Sequence, residues 1–119
     1  MASHNELGAL GEILALEYLR AHQYQILEKN YRYQKAEVDL IAFKEGTLTA
    51  IEVKTRTSDF FGDPQDFVST KKIKLLVTAI DHYVTENDLD VEVRFDIIAI
   101  VKNEMETKIE HLENAFLHY

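Results

Sequence analysis

The chain has 119 residues, 46% of them hydrophobic, which is enough for one domain with a packed core. It holds no cysteine, so disulfide frameworks and thiolate metal sites are excluded, and no run of about 18 apolar residues, so a membrane-spanning helix is excluded too. Thirteen Lys/Arg stand against twenty-one Asp/Glu, a net charge of −8 that at face value disfavours a polyanionic partner. The N-terminus lacks the basic start, apolar stretch and small-residue cleavage site of a signal peptide, and the expectation is a single cytoplasmic domain spanning residues 1–119.

In chain order, residues 3–22 read as a helix opened by Ser3 with Glu6 three residues on, a capping-box pattern. Residues 24–34, rich in Tyr and Ile, read as a first strand. EVDLIAF (37–43) and LTAIEVKTR (48–56) are strands joined by a short turn at Glu45-Gly46. Residues 57–66 form a loop broken by Gly62 and Pro64. Residues 69–87 are a second helix, with Ile73, Leu76, Val77, Ile80, Tyr83 and Val84 as its buried stripe. VEVRFDIIAIV (91–101) is a strand whose continuous apolar end suits a central position covered on both faces. Residues 108–119 are ambiguous, reading as a short edge strand followed by a turn of helix. The order α-β-β-β-α-β predicts an α/β fold, a mixed central sheet flanked by helices.

The two hairpin strands carry acids inside apolar runs. A symmetric loop at Glu45-Gly46 pairs residues whose numbers sum to 91, which sets Asp39 opposite Glu52 and Glu37 opposite Lys54. Partners of this kind have Cβ atoms about 5 Å apart, and like charges so placed are destabilising. Two such carboxylates need a proton or a cation between them. A divalent ion such as Mg²⁺ or Mn²⁺ would serve, since hard oxygen ligands suit it. The competing reading is a solvated sheet face with Glu37–Lys54 as an ordinary pair. On the first helix, Glu12 falls between Leu16 and Leu19 on the wheel, inside the apolar arc. It either reaches water at the edge of the stripe or meets a metal on the adjoining sheet.

The charge is unevenly spread. Residues 20–74 hold ten Lys/Arg against eight Asp/Glu, whereas residues 75–119 hold three against ten. Lys71, Lys72 and Lys74 lie in the first turns of the second helix, where positive charge opposes the helix dipole unless an anion is nearby. With Arg32, Arg56, Tyr31, Tyr33, Phe60 and Phe61 they make a candidate nucleic-acid groove, or else ordinary solvent-facing lysines beside core aromatics. The five histidines have no zinc-ligand spacing, and neither a phosphate-binding glycine loop nor a Ser/His/Asp set occurs. Asp96 reads as structural.

Seven short blocks occur in order: GE-x-x-A at Gly11, Glu12 and Ala15; NYR at Asn30–Arg32; EVDLIA at Glu37–Ala42; EVKTR at Glu52–Arg56; FG-x-P at Phe61–Pro64; RFD at Arg94–Asp96; and NAF at Asn114–Phe116. Together they resemble the YraN-type family of small bacterial proteins, related to archaeal Holliday-junction resolvases within the restriction-endonuclease-like PD-(D/E)xK superfamily. The departures are Ala36, where the family usually has Gly, and Gln65-Asp66 after the family's proline. The resemblance implies a restriction-endonuclease-like core in which Asp39, Glu52 and Glu12 hold Mg²⁺ or Mn²⁺ and Lys54 is the catalytic lysine. The expected function is a metal-dependent nuclease hydrolysing DNA phosphodiester bonds, with branched and single-stranded DNA among the candidate substrates and DNA ahead of RNA. Arg32, Arg56, Lys71 and Lys72 would hold the backbone, and a homodimer is expected by analogy with junction resolvases. The alternatives are an inactive nucleic-acid-binding module of the same fold and an acidic protein-interaction domain.

Overall fold

The structure, a computed structural model, describes residues 4–58 and 68–115. Within them run α1 (His4–Ala21), β1 (Gln25–Tyr33), β2 (Ala36–Lys44), β3 (Thr47–Arg56), α2 (Thr70–Glu86), β4 (Glu92–Lys102) and β5 (Thr107–Leu112). The expected α-β-β-β-α-β order is present, and the ambiguous C-terminal stretch contributes the edge strand β5, paired antiparallel with β4. Ser3, residues 59–67 with Phe60, Phe61 and the FG-x-P block, and residues 116–119 lie outside the described residues.

The sheet order is β1-β2-β3-β4-β5, antiparallel except for the parallel β3–β4 pair. A parallel neighbour requires a crossover connection, and α2 provides it between β3 and β4. The β2–β3 turn has the two-residue form: Glu45 and Gly46 both take positive φ, 50° and 82°, and Lys44 pairs with Thr47. That is the backbone of a type I′ hairpin, which fits the right-handed twist of the strands. The ladder keeps the expected register from Lys44↔Thr47 to Leu40↔Ile51 and ends there.

Each face of the sheet carries its own core. Val38, Ile41, Leu48, Ala50, Phe95 and Ile97 pack with Leu76, Ala79, Ile80 and Tyr83 of α2. Leu40, Ala42, Ile51, Ile98 and Ile100 pack with Ala15 and Leu19 of α1. β4 is therefore covered on both faces, as its apolar run predicts. On β2 the alternation slips at one place. Ala36 and Val38 face the α2 core, whereas Leu40 and Ala42 face the α1 core. The slip falls at Asp39, opposite a stretch of β1 in which Asn30 takes a φ of 53°.

α1 meets β3 backbone-close at Gly11. A Cβ there would lie 1.8 Å from Thr55 Oγ1 and 2.9 Å from Thr55 Cβ. Alanine is ordinarily the better helix former, but here the methyl group would push α1 off the sheet. Gly11→Ala is expected to lower stability by roughly 1–3 kcal/mol, the usual range for overpacking. Urea denaturation measures this, and an unchanged or raised midpoint would contradict the close approach.

Candidate metal centre and nucleic-acid interface

Beyond Leu40↔Ile51, β2 stays with β1 and β3 stays with β4, so the hairpin opens into a fork. Backbone groups at the fork lose their strand partners, and a buried unpaired N–H is costly. Two acidic side chains meet that need. Val53 N–H donates to Asp39 Oδ2 at 2.8 Å, and Asp39 N–H reaches Glu52 Oε2 at 3.5 Å. Glu52 is buried and Asp39 is half-buried, and the charge of Asp39 bears on Glu52. The expected convergence of Asp39 and Glu52 is present in the structure.

The electrostatics are those of a site short of positive charge. Burial, then the charge of Asp39, pushes Glu52 up to about 7, against the pull of Lys72. Burial also raises Asp39, although the Val53 N–H and Lys72 work to lower it. Lys72, in the first turn of α2, places Nζ 2.6 Å from Glu52 Oε1. Ser69 sets that turn, its hydroxyl accepting from Lys72 N–H at 3.1 Å as the N-cap. The anion that offsets a positive first turn is therefore Glu52, within the same chain. Burial disfavours the Lys72 ammonium, but its bond to Glu52 and the charges of Glu52, Asp39 and Glu37 hold its pKa above the ordinary value.

Lys54 is half-buried on the same strand, two residues from Glu52. Burial first, then the charges of Arg56 and Lys72, lowers its pKa, opposed by Glu52 and Asp39. The Glu37–Lys54 pair expected from the hairpin register does not form. The ladder ends before Glu37, which pairs across β1 with Arg32 at 2.7 Å, while Lys54 lies beside Ala99 of β4. Arg32 is largely exposed in that pair, so the interaction contributes little to stability. Arg56 donates to Thr55 O at 3.2 Å.

Glu12 sits on α1 one residue past the Gly11–Thr55 contact and is half-buried in a cleft of about 580 Å³ with Lys29, Asn30 and Leu40. Burial, followed by the charges of Asp39 and Glu37, raises its pKa, and a hydrogen bond with the Asn30 side chain opposes the shift. Glu12 is thus within electrostatic reach of Asp39 and Glu37, though neither lines its cleft. Among the described residues, however, no three Asp, Glu or His side chains are grouped closely enough to hold one metal ion. Two hard carboxylates at one fork, with raised pKa values, suit Mg²⁺ or Mn²⁺, and Mg²⁺ commonly takes only one or two protein carboxylates besides water and phosphate oxygens. A second cleft of about 340 Å³ adjoins Asp39 and is lined by Lys35, Glu37, Ser69, Lys71 and Lys72.

Asp96 has a different duty. It is fully buried, accepts from Arg94 Nε at 2.9 Å, from His111 Nε2 at 2.7 Å and from Asn114 N–H at 2.9 Å, and so ties β4 to β5 and the turn after it. Burial works against its charge, but these bonds outweigh burial and leave its pKa below the ordinary value. Tyr18 hydroxyl lies 3.2 Å from His111 Nδ1 and links α1 to the same cluster. Sequence spacing gave no sign of His111, 15 residues from Asp96, or of Asn30 as a partner for Glu12.

A carboxyl group whose pKa rises on folding holds its proton more tightly in the native state. Its stabilisation is fully present below the unfolded pKa, near 4.5 for Glu52, and is lost as pH climbs to about 7. Asp39 and Glu12 act with the same sign, and Asp96 with the opposite sign at the acid end. Without divalent metal the protein should therefore lose stability between pH 4.5 and about 7, and Glu52→Gln should flatten that decline. Urea melts in chelator across this range measure it, and a wild-type profile that rises with pH through the window would contradict the buried acid pair.

Residues 11–100 match the Uncharacterised protein family UPF0102. A UPF0102 protein of Christiangramia forsetii is 64% identical over the full length of both chains, and one of Flavobacterium psychrophilum is 57% identical over the same extent. A more distant UPF0102 protein, from Parabacteroides distasonis, is 45% identical and covers 98% of this chain and 96% of its own. The seven-block resemblance is thus borne out across the chain, which belongs to the UPF0102, or YraN-type, family.

Proposed function

We propose that this protein is a cytoplasmic, divalent-metal-dependent nuclease that hydrolyses phosphodiester bonds of DNA. The observation that carries the reading is the contact of Asp39 and Glu52 at the β2–β3 fork, with Lys54 two residues along β3 and a lysine-lined cleft alongside. Asp39 and Glu52 would hold Mg²⁺ or Mn²⁺, with Glu12 acting through water or as a charge within reach of Asp39. The ion would polarise a phosphoryl oxygen and lower the pKa of a bound water.

The chain's own groups do the remainder. Lys54, half-buried and with a lowered pKa, holds a proton close to the developing negative charge and can donate a hydrogen bond to it. Lys35 and Lys71 line the cleft beside Asp39, where they would bind successive phosphates. Arg56, adjoining Lys54, adds positive charge at the same end of β3, and Arg32 could exchange its exposed partner Glu37 for a phosphate. A second copy of the chain, as in a homodimer, would place two such centres on one branched DNA.

No helix among the described residues is long and apolar enough to cross a membrane, and nucleic acid is the partner that suits the cleft. The ion pair of Lys72 with Glu52 favours a second reading, a DNA-binding module without turnover, because the ammonium already meets part of the site's need for a cation.

A panel of branched, flap, single-stranded and linear duplex DNA with Mg²⁺ or Mn²⁺ separates the two. Asp39→Asn and Glu52→Gln should abolish cleavage, and Lys54→Met should slow it by roughly 10²–10³-fold, as for removal of one charge-stabilising donor. Asp39→Asn is preferred to Asp39→Ala because its side-chain oxygen can still accept from Val53 N–H. Equal cutting by Asp39→Asn in Mn²⁺ would refute the nuclease mechanism. Salt-dependent DNA binding with no metal-dependent cleavage would instead establish the binding module.

A further inference from the structure

Three polar contacts hold the fork together. Glu52 Oε1 holds the Lys72 ammonium at 2.6 Å, Glu52 Oε2 faces Asp39 N–H at 3.5 Å, and Asp39 Oδ2 accepts from Val53 N–H at 2.8 Å. Two of these three contacts are to backbone groups fixed in strands. The third is to a half-exposed ammonium at the end of a flexible four-carbon stem. A metal ion ligated by Glu52 brings a second positive charge beside the first, and the ammonium is the group able to leave. Somewhere to go lies alongside: Lys72 already lines the cleft beside Asp39, with Lys35, Lys71 and the N-cap Ser69.

We infer that Lys72 is a positioning residue that alternates between Glu52 and a backbone phosphate of the nucleic acid. Without metal it neutralises Glu52 and holds the fork together. When a divalent ion binds Asp39 and Glu52, Lys72 is displaced into the cleft and takes a phosphate oxygen there. Metal and DNA then bind cooperatively, because each stabilises the state in which Lys72 has left Glu52, and the coupling is reciprocal. The inference rests on the metal-dependent reading above and adds a role that metal ligands alone do not have.

The direct measurement uses the wild-type chain, isotopically labelled, at a pH of about 8.5 where Glu52 has lost its proton. Mg²⁺ titration should shift the Glu52 and Asp39 carboxyl carbons and, with the same midpoint, move the Lys72 side-chain nitrogen signal from an ion-paired to a solvated position. In calorimetry, Lys72→Met should bind Mn²⁺ about tenfold more tightly, the scale of one charged hydrogen bond removed from competition. Lys72→Arg should stay near wild type, and Lys108→Met, distant on β5, controls for the loss of one positive charge. Lys72→Met should also lose the gain in DNA affinity that non-cleaving Ca²⁺ gives the wild type. A lysine with a purely structural role would change the melting temperature and leave metal affinity alone. If the carboxyl carbons respond to Mg²⁺ while Lys72 does not move, the alternation is wrong and the metal site stands. If neither responds, both are wrong.

Discussion

Where β2 parts from β3, the backbone of each strand needs hydrogen-bond partners that no neighbouring strand supplies, and the carboxylates of Asp39 and Glu52 meet that need. Each acid reaches across the opening to the other strand's side of the fork. The arrangement satisfies backbone donors at the cost of bringing two negative charges together in a poorly solvated place. Such a pair calls for a proton or a positive charge beside it, and the neighbouring helices bear on that demand.

The two helices act on it in opposite senses, from opposite faces of the sheet. α2 is started by Ser69 so that Lys72 reaches Glu52. α1 is drawn close to β3 by the missing side chain at Gly11, which brings Glu12, a third acid, under the influence of Asp39. The slip in alternation at Asp39 lets one residue interact with groups on both sides, because Val38 before it and Leu40 after it belong to different cores. A regular strand would confine the Asp39 side chain to one face. The Asp96 cluster, with Arg94, His111 and Tyr18, braces the opposite half of the sheet and takes no part in the acid pair.

The hairpin was legible because one turn governs it. Glu45-Gly46 sets the register as far as Leu40↔Ile51, and Asp39 and Glu52, the next residues on each strand, still meet through Asp39 N–H and Glu52 Oε2 rather than as ladder partners. The arithmetic of that register failed for Glu37 and Lys54, since a pairing rule holds only as long as the ladder does, and no pattern of apolar residues marks where two strands separate. Three lysines in the first turns of α2 announced an unmet anion, but which of them would meet Glu52 depends on how the helix rests on the sheet. Gly11 reads in sequence as a mild helix weakness; its purpose emerges only when Thr55 is beside it. Contacts such as Tyr18 with His111, 93 residues apart, leave no local trace at all. The seven-block resemblance, by contrast, identified the family directly.

The claim on which all of this depends is that the paired acids at the fork form a divalent-cation site. Anomalous diffraction from crystals grown with Mn²⁺ tests it most directly. The expected result is a single strong peak between the Asp39 and Glu52 carboxylates, about 2.1 Å from an oxygen of each, with the Lys72 ammonium moved away. A map without a peak at the fork, with Lys72 still bound to Glu52 at saturating Mn²⁺, would contradict it.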